Sequence, residues 1–185
     1  MYPSGFKQYA AIEKAAGRTP DRKLARYAAR YRLAGQISSL ELSGYSQSLC
    51  DAYLHCLRIS LAYSALESLE VHLGKHAISL TDEKIASKFK SPALSKFKVF
   101  ALQESDPKLA RRLEKFYSSE NDSSLRPIVE VIRHTMFHGQ LSPSASGLTT
   151  KIAIELLSSV EKLIFVNMDL RSKPLFDGAE KLERD

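Results

Sequence analysis

The chain has no tryptophan, only 8 glycines and 7 prolines in 185 residues, and just two cysteines. Scarce glycine and proline exclude collagen-like, linker-rich and turn-dense all-β chains. Cys50 and Cys56 fall on one helical stretch, about 120° apart around its axis, so they cannot bridge each other. Two thiols without a disulfide framework point to a reducing cytosol. Long apolar runs are missing too. The longest, 152–166, is broken by Glu155, Glu161 and Lys162, which excludes a membrane span there. The opening MYPSGFKQYA has no apolar signal-peptide core. The expectation is a soluble, cytoplasmic protein. Hydrophobic residues at 44% and charged residues at 26% are the proportions of a folded domain rather than a disordered one. Without tryptophan, its core rests on Leu, Ile, Ala, Tyr and Phe.

Acids are scarce in one region. The net charge of +6 belongs entirely to residues 1–36, where eight Lys and Arg face only Glu13 and Asp21; the other 19 bases and 19 acids cancel. Such asymmetry favours an anionic partner. Arg22, Arg26 and Arg30 recur every four residues and form a stripe on one helix face, with Leu24, Tyr27 and Tyr31 on another. A basic stripe can neutralise the phosphates of a nucleic acid, or it can be a solvated face beside a buried Leu/Tyr face.

The periodicity is helical almost throughout, and no segment alternates with a period of two. It predicts helices over 6–16, 20–33 and 46–73, several short ones within 80–120, and two more over 125–138 and 148–170. Thr19 can cap a helix whose first turn holds Pro20, Asp106-Pro107 is a further helix start, Gly74 and Gly139 are stops, and 118–124 and 142–147 are connectors. Along the third helix Leu49, Ala52/Tyr53, Cys56, Ile59/Ser60, Tyr63 and Leu66 trace a stripe suited to a bundle core. Residues beyond Pro174 read as a polar, frayed tail. The expected organisation is a basic N-terminal helical arm (1–36) packed on an all-α bundle (37–172), with a polar tail (173–185). No internal repeat and no glycine-rich phosphate loop is present.

Five histidines offer chemistry: His55, His72, His76, His134 and His138. The pairs His72/His76 and His134/His138 have the i, i+4 spacing that can hold a metal. Gly74 interrupts the first pair, neither pair encloses a Glu as zinc proteases do, and no second carboxylate–histidine helix motif accompanies them. Neither metal nor cofactor is therefore expected, a metal on His134 and His138 being the weaker alternative. His55, His72 and His76 read as structural or surface residues.

The richest segment is Val131-Ile-Arg-His-Thr-Met-Phe-His138-Gly139, the end of a helix. Val129, Ile132, Met136 and Phe137 can face the core, leaving Arg133, His134 and His138 toward a surface or groove. An imidazole there can give and take protons near neutral pH, and a guanidinium can grip a phosphate through two hydrogen bonds. Individually, Arg133 could form a surface ion pair with Glu130 or with an acid on another helix, His138 could cap the helix end, and Glu67 and Glu70 could be exposed.

Arg133, four intervening residues and His138, with polar His134 directly after the arginine, resemble the signature of the HEPN superfamily. Leu61-Ala-Tyr-Ser-Ala-Leu-Glu67-Ser-Leu-Glu70 is similar to the family's long core helix, which often carries an acid inward. The resemblance covers about 46–172. It implies a HEPN-like four-to-five-helix bundle, here with additional N-terminal helices, and a metal-independent endoribonuclease in which Arg133 and His138 of two protomers line a cleft at a symmetric dimer interface. His138 would then act as general base or acid at the ribose 2′-hydroxyl, and Arg133 would hold the scissile phosphate. His134 would assist positioning or proton exchange, and Glu67 would orient Arg133. Arg22, Arg26 and Arg30 would bind the RNA backbone. The resemblance also implies an antitoxin partner protein if the chain is a toxin or defence protein. A non-catalytic HEPN-like module that binds nucleotide or RNA, or docks through its helices, is the alternative.

Overall fold

Residues 1–137 and 149–181 are described by a computed structural model, and they contain eight α-helices and no strand. In chain order these are α1 (Phe6–Ala15), α2 (Arg22–Gln36), α3 (Gln47–Leu73), α4 (Glu83–Lys90), α5 (Ser95–Gln103), α6 (Pro107–Ser118), α7 (Arg126–Phe137) and α8 (Thr150–Lys181), with a 3₁₀ turn at Pro92–Leu94. The all-α expectation holds. Among the described residues no helix is long and apolar enough to cross a membrane.

The ends of these helices follow from local chemistry. Ser46 accepts from the Leu49 N–H at the start of α3, and Asp106, followed by Pro107, accepts from the Lys108 and Leu109 N–H groups at the start of α6. Each satisfies donors that a helix start leaves unpaired. Gly74 closes α3 at φ 106°, a backbone conformation that side-chain-bearing residues avoid.

α3 is the central helix, flanked by α2, α7 and α8. Of the expected stripe it buries Ala52, Cys56, Ile59, Ser60, Tyr63 and Leu66, leaving Leu49 and Tyr53 half-buried, and it also buries Cys50, Leu54, Ala62, Ala65, Ser68, Leu69 and Glu70. Neighbours on three sides explain why the apolar surface is wider than a single stripe. Both cysteines are buried and unbridged, and burial pushes the Cys56 thiol up to about 12.

Residues 1–36 contribute side chains to this core. Tyr27 and Tyr31 are fully buried; the Tyr27 hydroxyl donates to Ser172 at 3.2 Å and that of Tyr31 to Asp169 at 2.7 Å. The expected end of the last helix near residue 170, followed by a frayed tail, is corrected. α8 continues through Pro174, and Phe176 is buried with its ring 5.5 Å from those of both Phe6 and Tyr9. Gly5 makes this approach possible, because a Cβ there would meet the Phe176 Cβ at 3.0 Å. An internal proline breaks one backbone bond, yet aromatic packing on α1 holds the last turns in place.

Candidate functional site

An open groove of about 1360 Å³ runs between α3, the loop 74–80, α6 and α7. Its two long walls carry the same spacing: Tyr63, Glu67 and Glu70 on α3, and Arg126, Glu130 and Arg133 on α7, each set at i, i+4, i+7. Such positions share one helix face. Arg126, at the start of α7, meets Glu70 near the end of α3, whereas Arg133 meets Glu67, so the two helices run in opposite directions.

The floor is a bonded chain of polar groups. Arg126 donates to both Glu70 oxygens, at 2.5 and 3.1 Å, and to the Ile78 carbonyl at 2.8 Å; the Ile78 N–H returns a bond to Glu70 at 3.1 Å. Burial works against the Arg126 charge, but the Glu70 hydrogen bond, together with Tyr63, outweighs it and holds its pKa above the ordinary value. The Tyr63 hydroxyl donates to Glu130 at 2.7 Å and accepts from Arg126 at 3.4 Å. Burial first, and then the Glu130 carboxylate, raise the Tyr63 pKa, so this hydroxyl stays protonated and a donor. Arg112 reaches across from α6 to grip both Glu130 oxygens, one at 2.9 Å.

Arg133 sits where this floor opens. Its Nη1 donates to Glu67 at 3.0 Å, and its guanidinium carbon lies 5.6 Å from the centre of the Tyr63 ring, within cation–π range. The side chain nonetheless keeps 36% of its surface exposed, so an anion in the groove can reach it. His134 is half-buried on the same wall. The Asp106 carboxyl at the head of α6 is held below the usual carboxylate range, chiefly by the Leu109 N–H and then by that of Lys108 and by the His134 charge, with burial opposing them.

The structure therefore brings three of the expected catalytic residues, Arg133, His134 and Glu67, to one groove. His138 lies outside the described residues. Of the two ion pairs open to Arg133, the one formed is with an acid on another helix, Glu67 of α3; Glu130 belongs to Arg112. Of the expected RNA-binding stripe, Arg22 and Arg26 are exposed, but Arg30 turns onto α3 and donates to the Ser64 carbonyl at 3.2 Å and the Ser68 hydroxyl at 2.6 Å. None of the three lines the groove.

The other histidines divide. His55 bonds Glu161 at 2.7 Å, and Arg58 pairs with the same carboxylate at 2.8 Å, a polar clasp between α3 and α8. His72 is exposed on the last turn of α3; His76 lies past Gly74 with φ 59° and lines the groove, so these two do not share a helix face. Among the described residues no three His, Cys, Asp or Glu side chains are grouped to hold a metal ion.

Sequence reasoning gave Arg112 and Arg126 no role, read Tyr63 only as core and Glu130 only as an ion-pair partner, and left Glu70 with either an inward or an exposed role; it is 7% exposed. One signal was available: the identical i, i+4, i+7 spacing of Tyr63, Glu67 and Glu70 on α3 and of Arg126, Glu130 and Arg133 on α7. Compared with known proteins, the chain matches no family model, no curated protein and no solved structure.

Proposed function

We propose that this chain is a HEPN-like, metal-independent endoribonuclease whose active groove lies between α3 and α7. The observation that carries the reading is Arg133: a half-exposed guanidinium at the edge of an open groove, aimed by a carboxylate and an aromatic ring from the neighbouring helix. A fork fixed in this way can bind a phosphodiester and stabilise the charge that grows on its oxygens as the phosphorus becomes five-coordinate.

The chemistry asks little more of the protein. A base removes the ribose 2′-hydroxyl proton, O2′ attacks the adjacent phosphorus, and the bond to the 5′-oxygen breaks. An acid supplies a proton to that leaving oxygen, and a 2′,3′-cyclic phosphate remains. The nucleophile is already tethered beside the phosphate, so orientation is largely supplied by the substrate. His138 is the proton-transfer group in this reading; His134, which lines the groove, assists positioning or proton exchange, and Glu67 positions Arg133. Two protomers meeting through this face would bring two such motifs to one two-fold axis. A toxin or defence role with a neutralising protein partner belongs to the same proposal.

The test compares wild type, Arg133→Ala and His138→Ala on single-stranded RNA in EDTA, with the product ends identified. Wild type should give 2′,3′-cyclic phosphate ends, and each variant should lose at least about a hundredfold in rate. Equal cleavage by all three sinks the proposal. Binding without cleavage by wild type would leave the groove as a non-catalytic nucleotide- or RNA-binding site.

A further inference from the structure

We infer that α6, and not the arginine stripe of α2, is the surface that leads an RNA backbone into the groove. The inference takes RNA as the ligand from the reading above, and the rest stands on where the charges sit. Lys108, Arg111, Arg112 and Lys115 are spaced i, i+3, i+4, i+7, and all four fall within about 100° of the helix surface. Lys108, Arg111 and Lys115 are exposed and Arg112 is half-buried. Glu114 is the only acid within α6. Composition hides this stripe, because the 19 bases and 19 acids beyond residue 36 cancel in the sum although not in space.

Position separates the two stripes. Lys108 and Arg112 line the same groove as Arg133. The run from Lys108 to Lys115 climbs about 10 Å along the helix, which makes a cationic track whose first turns border the proposed site. Arg112 adds a guanidinium that is still 37% exposed while its partner Glu130 fixes its direction. That residue stands to α6 as Arg133 stands to α7: a paired, half-open fork facing one cavity. Arg30 of α2, by contrast, is committed to oxygen acceptors on α3. Phosphates carry no sequence information, so this track orients any single strand and leaves base preference to other contacts.

The experiment measures binding of a short fluorescent 2′-O-methyl RNA, which lacks the attacking hydroxyl, across a salt series. It compares wild type, the triple variant Lys108→Gln/Arg111→Gln/Lys115→Gln and the double variant Arg22→Gln/Arg26→Gln. All five positions are exposed, and circular dichroism checks that each variant folds. The triple variant should bind at least about tenfold more weakly at low salt, and its log K against log salt slope should be shallower by about 2, at about 0.7 per lost phosphate contact. The double variant should change affinity less than about twofold. An unchanged slope in the triple variant, or an equal or larger loss in the double variant, overturns the inference. So does tighter binding of polyglutamate than of the RNA, which would make an acidic protein the partner, and so does an absence of RNA binding by wild type.

Cleavage of a dinucleoside monophosphate and of long RNA keeps this inference apart from the ribonuclease reading. If wild type binds through α6 but cleaves neither substrate, the ribonuclease reading fails and the track stands. If wild type and the triple variant cleave long RNA equally well, the track fails and the ribonuclease reading stands.

Discussion

α2 and α6 are built to one local recipe and end in different situations. Asp21 caps α2 by accepting the Lys23 and Leu24 N–H groups at 2.8 and 3.0 Å; Asp106 caps α6 by accepting those of Lys108 and Leu109 at the same two distances. Each helix then presents a row of basic residues. α2 buries Leu24, Tyr27, Ala28, Tyr31 and Ala34, ties both tyrosine hydroxyls to α8, and turns Arg30 onto α3. α6 buries only Leu109, Leu113 and Phe116, and its Arg112 opens on a groove. What differs is the neighbour. α3 offers Arg30 a carbonyl and a hydroxyl at a closed seam, whereas α7 offers Arg112 a carboxylate at an open one. A basic stripe is thus left open or fastened down according to what the next helix presents.

The contrast can be broken most severely at the groove floor. Arg126→Ala leaves the buried Glu70 carboxyl without its guanidinium partner, so urea or thermal denaturation should show a loss of about 3–5 kcal/mol. A stable Arg126→Ala protein would mean that the floor does not hold α7 to α3. Next in size, Arg133→Ala should lower RNA cleavage by about 10²–10³-fold, some 3–4 kcal/mol of transition-state stabilisation, while the denaturation midpoint stays near wild type. An equal fall in midpoint would reduce Arg133 to a structural ion pair with Glu67.

The two stripes are compared directly by Arg30→Ala and Arg112→Ala. The first should cost about 1–3 kcal/mol of stability, because it removes hydrogen bonds between a charged group and α3, and should leave RNA affinity unchanged. The second should weaken RNA binding severalfold. Reversed phenotypes would refute the distinction. The smallest effect concerns the shared caps. In the folded chain both aspartates lie below the ordinary value of 3.8, chiefly through the N–H of Leu24 for Asp21 and of Leu109 for Asp106. A folded-state pKa below the unfolded one adds stability that is complete above about 4 and is lost as pH falls through the lowered value. Acid denaturation should therefore weaken both helices together, and Asp21→Asn/Asp106→Asn, which keeps a capping oxygen without the charge, should flatten the acid limb of the stability curve.

Much of the fold could be read before any coordinates. Asp106-Pro107 and Gly74 mark helix ends because each acts on backbone groups within a few residues, whereas the cap expected of Thr19 is supplied by Asp21, two residues on, so Pro20 precedes α2. Pro174 misled for the opposite reason: its local tendency is to end a helix, and Phe6 and Tyr9, far away in the chain, overrule it by burying Phe176. At the groove, Arg133 and Glu67 were legible as a pair through the resemblance. Arg126, Glu130, Arg112 and Tyr63 were not, since each takes its meaning from a partner on another helix.

The residues alone determined that this chain is helical, where most helices start, and that Leu, Ile, Ala, Tyr and Phe supply the core. Those outcomes depend on periodicity and capping, which act over one or two turns. Only the tertiary structure decided that Tyr63, Glu67 and Glu70 would face Arg126, Glu130 and Arg133 across one groove, that Arg30 would be fastened to α3, and that Arg112 would stand half open. Charge pairing falls off with distance through space, and distance along the chain places no limit on it.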